Sequence, residues 1–339
     1  MGNEGHARLQ LQAGIEKWSM VAPFHITGYT FTEIETLVVR LHEGGMAGQG
    51  EALGVYYRHD TPAKMLAQVE ALRGQIEAGM TREQLQQVLP AGGARNALDC
   101  ALWDLEAKRS GRPVWMLAGQ DAPHPLLTTY TLGADDPARM ADAARALPGV
   151  RALKLKLTND DINAQRVRAV RAVHPDAWIM VDANQGFTRE SFARLLPALV
   201  ETRVAVVEQP FPVGNEAWLD GLDSPILLAA DESVQDHSDL PGLVGRVGMI
   251  NIKLDKCGGL TEALAMAAQA RKLGFELMVG NMSGSSLSMA PAFVLGQSCT
   301  VVDLDGPMFL TADHSPGVVY EDGRIWCPDT VWGGPMPAA

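Results

Sequence analysis

The chain has 339 residues, 47% of them hydrophobic, and a formal net charge of -12. That length and apolar fraction support a large core and more than one domain, and the acidic balance disfavours nucleic acid or an anionic membrane surface as a partner. The four cysteines, Cys100, Cys257, Cys299 and Cys327, form no Cys-x-x-Cys pair, and the polar segment Met1–Leu11 has neither the apolar core of a signal peptide nor a membrane span, so a soluble, cytoplasmic protein is expected.

Residues 1–122 read as α+β. A β-branched run at Ile34–Leu41 meets a turn signal at Gly44-Gly45, and helical patterns follow at Pro62–Glu77, Thr81–Val88 and Ala94–Arg109. Thr81 followed by Gln84 resembles a capping box, and Gly111-Arg112-Pro113 stops the last helix. Gly48-x-Gly50 before Gly54 has the wrong spacing for a phosphate loop and reads as a turn beside a strand.

From about residue 123 strands and helices alternate. The strand candidates are Leu126–Thr131, Ala152–Leu157, Trp178–Asp182, Val204–Glu208, Ile226–Asp231, Met249–Lys253, Glu276–Gly280 and Thr300–Asp303. Helical segments such as Asp161–Val173, Arg189–Leu199, Leu260–Leu273 and Ser285–Leu295 separate them. This alternation predicts a closed parallel barrel, with an open doubly wound sheet as the runner-up. No GxGxxG or Walker motif supports the open sheet. The tail from Val318 to Trp326 reads as a further hairpin or edge, packing back on the first domain.

In such a barrel, chemistry sits at the C-terminal ends of the strands. Three consecutive units end in Val181-Asp182-Ala-Asn, Val207-Glu208-Gln-Pro and Ala230-Asp231-Glu-Ser, with the acids 26 and 23 residues apart. Asp182, Glu208 and Asp231 would then stand side by side at one rim. Adjacent carboxylates repel unless a cation joins them, and hard oxygen donors select Mg²⁺. The plainer reading, loop acids or helix caps, suits a single such residue better than three in succession.

The second barrel strand reads Leu153-Lys154-Leu155-Lys156-Leu157, and its alternation puts both lysines on one face. Helices cover the outside of a barrel, which favours leucine there and sends the lysines inward. That placement is expensive without a task. Lys253 closes the sixth strand, diametrically opposite the second in a barrel of eight, so a lysine pair could reach both faces of one substrate carbon. Nearby Mg²⁺ and the second lysine are expected to depress the lysine pKa values. The last strand, Val302-Asp303-Leu304-Asp305-Gly-Pro, sets two carboxylates on one face near the rim, suited either to a cationic ligand or to a solvated strand end.

At these residues the chain resembles the enolase superfamily, in its muconate-lactonizing branch, over nearly its whole length. The Lys-x-Lys, Asp-Ala-Asn, Glu-Gln-Pro, Asp-Glu-Ser and Asn-Ile-Lys motifs stand in family order, and the segment Ala94 to Leu105, by itself a buried helix without assigned chemistry, matches as well. The resemblance implies an α/β architecture: a modified (β/α)8-type barrel, (β/α)7β, over residues 123–311, under an α+β capping domain built from residues 1–122 and completed by 312–339. It implies Mg²⁺ on Asp182, Glu208 and Asp231, Lys156 and Lys253 as the two acid/base groups, and Lys154 polarising the substrate carboxylate. The shared step is removal of a proton α to a carboxylate.

The Asp-x-Asp on the last strand narrows the resemblance to dipeptide epimerases, where Asp303 and Asp305 hold the substrate's α-ammonium; Thr131, at the end of the first barrel strand, is carried over as a substrate contact. L-Ala-D/L-Glu is the best-known substrate of such enzymes, and many carry an arginine in a mobile loop of the capping domain. The corresponding loop is Pro23–Thr30, with Gly28 at that arginine's place, so His25, Tyr29, Phe31 and Tyr57 could shape a pocket for another side chain, beside the Gly280–Ser283 segment. The alternatives are a cycloisomerase or o-succinylbenzoate-type dehydratase of the same branch and, from another class, a non-catalytic ligand-binding protein on this scaffold. Homo-oligomers are common among soluble enzymes, and nothing in the chain counts subunits.

Overall fold

The first forty residues form more sheet than their polarity suggests. In the computed structural model, whose described residues are 8–26, 29–147 and 149–336, the Ile34–Leu41 run lies inside a longer strand, β2 (Tyr29–Glu43). It pairs antiparallel with β1 (Gln10–Ile26) on one side and β3 (Met46–Ala52) on the other. Strand β1 went unforeseen because little of it after Leu11 is buried, so no inside/outside pattern marks it. Gly28 lies outside the described residues.

Leu37, Val39 and Leu41 pack with Ala97, Leu98, Ala101 and Leu105 of the helix Gly93–Ser110. Gly48 and Gly50 are therefore not a turn. They sit within β3, where a Cβ would fall 2.2 Å from the Ala101 carbonyl oxygen and 2.1 Å from that of Ala97. Only glycine lets the strand lie that close to the helix. The expected helix at Pro62–Glu77 is divided at Leu72, and the capping box of Thr81 and Gln84 is present.

The chain then runs through β4 (Leu126–Leu127) into eight parallel strands: β5 (Tyr130–Leu132), β6 (Ala152–Lys156), β7 (Trp178–Asp182), β8 (Val204–Glu208), β9 (Leu227–Ala230), β10 (Met249–Ile252), β11 (Glu276–Val279) and β12 (Val301–Val302). They neighbour one another in chain order. The edges are joined where Thr129 N–H donates to the Val302 carbonyl and Leu304 N–H to Thr128 Oγ1, both at 3.0 Å. The sheet thus closes on itself, against the open-sheet alternative. The expected first strand, Leu126–Thr131, is really two: β4 leaves the barrel, and Thr131 lies in the middle of β5.

The tail hairpin, β13 (Val319–Glu321) and β14 (Arg324–Trp326), pairs with β4 rather than with the first-domain sheet. Beyond it the chain returns to the first domain: Trp332 Nε1–H donates to the Gln49 carbonyl at 2.8 Å and Gly333 N–H to Asp104 Oδ1 at 2.9 Å.

Three buried acids fasten cap to barrel. Glu51 accepts from Ser285 N–H at 2.8 Å, Asp255 accepts from Gly54 N–H at 2.8 Å, and Asp99 accepts from Thr261 N–H at 2.9 Å. The last bond caps the helix Leu260–Lys272 from another domain, satisfying one of the donors that every helix start leaves over. Among the described residues no helix is long and apolar enough to cross a membrane.

Candidate active site

Strand alternation sorts the second barrel strand as its chemistry requires. Leu153, Leu155 and Leu157 join the core between barrel and helices, while Lys154 and Lys156 turn inward and are buried. Below them the barrel interior is filled by Met180, Val206, Ala229, Met249, Met278 and Val301. The polar side chains therefore sit on an apolar plug.

Asp182 and Glu208 end β7 and β8, and Asp231 follows β9; their nearest carboxylate oxygens lie within 4.8 Å of one another, all buried. Lysines flank them on both sides. Lys156 Nζ is 2.6 Å from Asp182 Oδ2, and Lys253 Nζ, just past β10, is 2.7 Å from Asp231 Oδ2. Lys154 Nζ reaches Glu208 at 2.7 Å, Asp303 at 2.9 Å and Asp182 at 3.1 Å. Asp303 also accepts from Thr129 Oγ1–H at 2.6 Å, and Asp305 from Thr131 N–H at 2.7 Å. Thr131 thus meets Asp305 through its backbone and lines the same cleft as the three lysines, Asp303 and Asp305.

Burial drives these carboxyls upward, and the lysines decide which resist. At Asp182 the opposing pull of Lys156 and Lys154 wins and holds it down at about 2, and at Asp231 Lys253 and Lys256 likewise hold it well below the usual range. Glu208 is pushed up to about 7 by burial and by Asp182, Glu232 to about 8 by burial, Asp231 and Asp182, and Asp305 to about 6 by burial and Asp303. The expected depression of the lysine pKa values presupposes bound Mg²⁺; with the carboxylates alone, Lys154 and Lys253 shift the other way. Burial does lower them, but the carboxylates that each touches outweigh it, and both are raised.

The donor set fits a divalent cation. The ligand atoms are all hard oxygens. Six buried carboxylates (Asp182, Glu208, Asp231, Glu232, Asp303 and Asp305) face four buried ammoniums (Lys154, Lys156, Lys253 and Lys256), an excess of two negative charges when all are ionised.

Two stretches of the chain match known families: residues 11–119 the mandelate racemase / muconate lactonizing enzyme N-terminal domain, and residues 137–332 the enolase C-terminal domain-like family. The chain belongs to the enolase superfamily. It is similar to the L-Ala-D/L-Glu epimerase of Escherichia coli, 41% identical over 91% of this chain and 97% of that one. It is also similar to a hydrophobic dipeptide epimerase of Roseobacter litoralis, 33% identical over 89% and 91% of the two chains. Among solved structures, an enolase family member from Agrobacterium tumefaciens, with bound sodium and L-Ala-L-Glu, superposes with a TM-score of 0.93 at 42% identity, covering 96% of this chain and all of that one. A dipeptide epimerase from Methylococcus capsulatus, complexed with Mg and L-Arg-D-Lys, superposes with a TM-score of 0.88 at 32% identity, covering 94% and 96%.

Several side chains that support this superfamily site were not singled out from the sequence. Lys256 is fully buried and donates to Asp231 Oδ1 at 2.5 Å and to the Asp231 and Asn251 carbonyls at 2.6 and 3.0 Å. Asn251 Nδ2–H donates to Glu208 Oε1 at 2.7 Å. Gln209 Oε1 accepts from Asp231 N–H at 2.9 Å, and Asn281 Nδ2–H donates to the Asp303 carbonyl at 2.7 Å. The signal for Asn251 was present: in Asn-Ile-Lys it shares a strand face with Lys253. Lys256 lies in a single helical turn, Leu254–Cys257, whose inward direction no periodicity reveals.

Proposed function

We propose that the chain is a Mg²⁺-dependent dipeptide epimerase that inverts the α-carbon of the second residue by two-base proton transfer. The observation that carries this reading is the placement of Lys156 and Lys253 on opposite flanks of the Asp182–Glu208–Asp231 cluster, four strands apart in a barrel of eight. A carbon held above the cluster has one lysine on each face, as inversion of a stereocentre requires.

The roles follow from position. Asp182, Glu208 and Asp231 hold the metal. When bound, Mg²⁺ supplies Lewis-acid neutralisation of the substrate carboxylate. One of Lys156 and Lys253, as free amine, takes the α-proton, and the other, as ammonium, returns a proton to the opposite face. Lys154, held within hydrogen-bond reach of the cluster, donates to the carboxylate oxygen on which negative charge gathers as the proton leaves. Asp303 and Asp305 accept the substrate's α-ammonium, with Thr131 positioning Asp305. Asp303 is already paired with Lys154, but Asp305, buried beside it with only neutral donors, is costly without a cationic guest, which weighs against the cycloisomerase and dehydratase alternatives, whose substrates bring no ammonium. The complete set of carboxylates and bases weighs against a non-catalytic binding protein. All four thiols are unpaired, in keeping with the reducing cytosol in which we place the protein.

The dipeptide epimerases among the relatives differ in the side chains that their names give, and one relative, 42% identical over 75% of this chain, is named an N-acetyl-D-glutamate racemase. Incubation with Mg²⁺ and a dipeptide library in D2O, read by mass spectrometry, tests the reading. Deuterium is expected at the second residue's α-carbon, and its loss in a Lys156→Ala, Lys253→Ala double variant. No exchange across the library would sink the proposal.

A further inference from the structure

The substrate's second side chain has only one way to point. Its α-carbon carries a proton on the Lys156–Lys253 axis, a carboxylate directed at the acid cluster, and a peptide nitrogen leading toward Asp303 and Asp305. The fourth substituent must leave the barrel toward the capping hairpin and the segment after β3. This argument rests on the epimerase reading above.

What waits there is aromatic. Phe31 and Tyr56 line the cleft, with ring centroids 5.4 Å apart at 71°. Tyr56 also packs against Tyr29 at 4.6 Å and against Tyr57 at 5.2 Å, so four rings form one wall. Tyr56 and Phe31 line the same cleft as Lys156 and Lys253, which places this wall beside the two bases. A separate row, Phe24, Phe309 and Tyr130, packs at 5.1 and 5.4 Å and borders Asp305, at the ammonium end of the cleft.

Among the described residues no unpaired cation lines the cleft. Lys154, Lys156 and Lys253 are each held by carboxylates within 3.1 Å. Arg58, next to Tyr57, donates to the neutral Gln235 Oε1 at 3.2 Å, but it is exposed and lies outside the cleft lining. Residues 20–31 contain no lysine or arginine. A carboxylate side chain against these rings would lose its hydration and gain no partner, whereas an apolar one would shed water from both surfaces.

We infer that the wall of Phe31 and Tyr56 selects dipeptides whose second residue is large and uncharged, aromatic or branched aliphatic, over those ending in glutamate or lysine.

The test is kcat/KM of the wild-type, Mg²⁺-loaded enzyme for α-proton exchange in L-Ala-L-Phe, L-Ala-L-Leu, L-Ala-L-Glu and L-Ala-L-Lys. The apolar pair is expected to exceed the charged pair by about tenfold or more. Phe31→Arg, which sets a guanidinium on the wall, is expected to shift the Glu-to-Leu ratio toward glutamate by about tenfold or more. Exchange of L-Ala-L-Glu at least as fast as L-Ala-L-Leu by the wild type overturns the inference while leaving the epimerase intact. Absence of exchange in all four, together with none across a broad library, removes the epimerase reading and this inference with it. The wild-type panel decides the matter even when the variant does not fold.

Discussion

Lys154 Nζ stands 2.9 Å from Asp303 Oδ2, a buried ion pair that joins the second barrel strand to the end of the last. The same ammonium lies 2.7 Å from Glu208 and 3.1 Å from Asp182, so it links the acids proposed for the metal to those proposed for the substrate's ammonium. Its loss and Asp303's loss should differ. Asp303→Asn leaves Lys154 two other carboxylates and is expected to cost ~1–3 kcal/mol. Lys154→Met leaves three carboxylates short of a counter-charge and is expected to cost about 3–5 kcal/mol. Urea unfolding in chelator measures both; a Lys154→Met midpoint at or above that of Asp303→Asn counts against a cluster bound together by this lysine.

The sequence made the inward residues of regular strands legible, and the irregular residues much less so. Leu-Lys-Leu-Lys-Leu could be oriented because a barrel strand has one helix-covered face, and the acids closing β7 and β8 stand at the predicted positions. Gly48 and Gly50 were misread because close helix contact is a tertiary fact with the same local signature as a turn. The run Leu126–Thr131 looked continuous because both of its pieces are apolar; that β4 belongs to the tail hairpin depends on residues almost two hundred positions later. Charge balance was hardest. A raised Lys253 follows from its contact with Asp231, which no spacing rule supplies.

The two flanking lysines are expected to be handed. Lys156→Ala and Lys253→Ala should each lower epimerisation by about 10²–10⁴-fold yet retain α-proton exchange in D2O for one configuration of the second residue, the opposite one in each variant. Chiral chromatography with mass detection separates the products. Exchange lost from both configurations in each single variant would argue for a single base.

Metal binding should appear in stability without any turnover. Mg²⁺ bound only by the folded chain raises its stability by RT ln(1 + [L]/Kd), about 2.7 kcal/mol at a hundredfold excess over Kd. The unfolding temperature is therefore expected to climb with Mg²⁺ at fixed ionic strength and to fall back on chelation. Asp231→Asn removes an oxygen donor and the counter-charge of Lys253 and Lys256, so its response should be largely lost. An Mg²⁺ response matched by Na⁺ at equal ionic strength would speak against a specific site.

Asp99 gives the joint between cap and barrel a pH dependence of its own. Burial pushes its carboxyl from 3.8 up to about 6, although Thr261 and Arg82 pull the other way. Below about pH 4 the group is protonated both folded and unfolded and exacts no penalty. As pH rises from about 4 to 6 the unfolded chain ionises first, so stability falls; above about 6 both states are ionised and the loss stays constant, at about 3 kcal/mol for a shift of that size. Asp99→Asn keeps an acceptor for the Thr261 N–H while abolishing the titration. The unfolding free energy of the variant minus that of the wild type is therefore expected to move in the variant's favour by about 3 kcal/mol between pH 4 and pH 7. Taking the difference cancels the titration of the active-site acids, which both proteins share. A difference that is flat with pH, or that moves against the variant, would show that Asp99 folds in as a stabilised carboxylate.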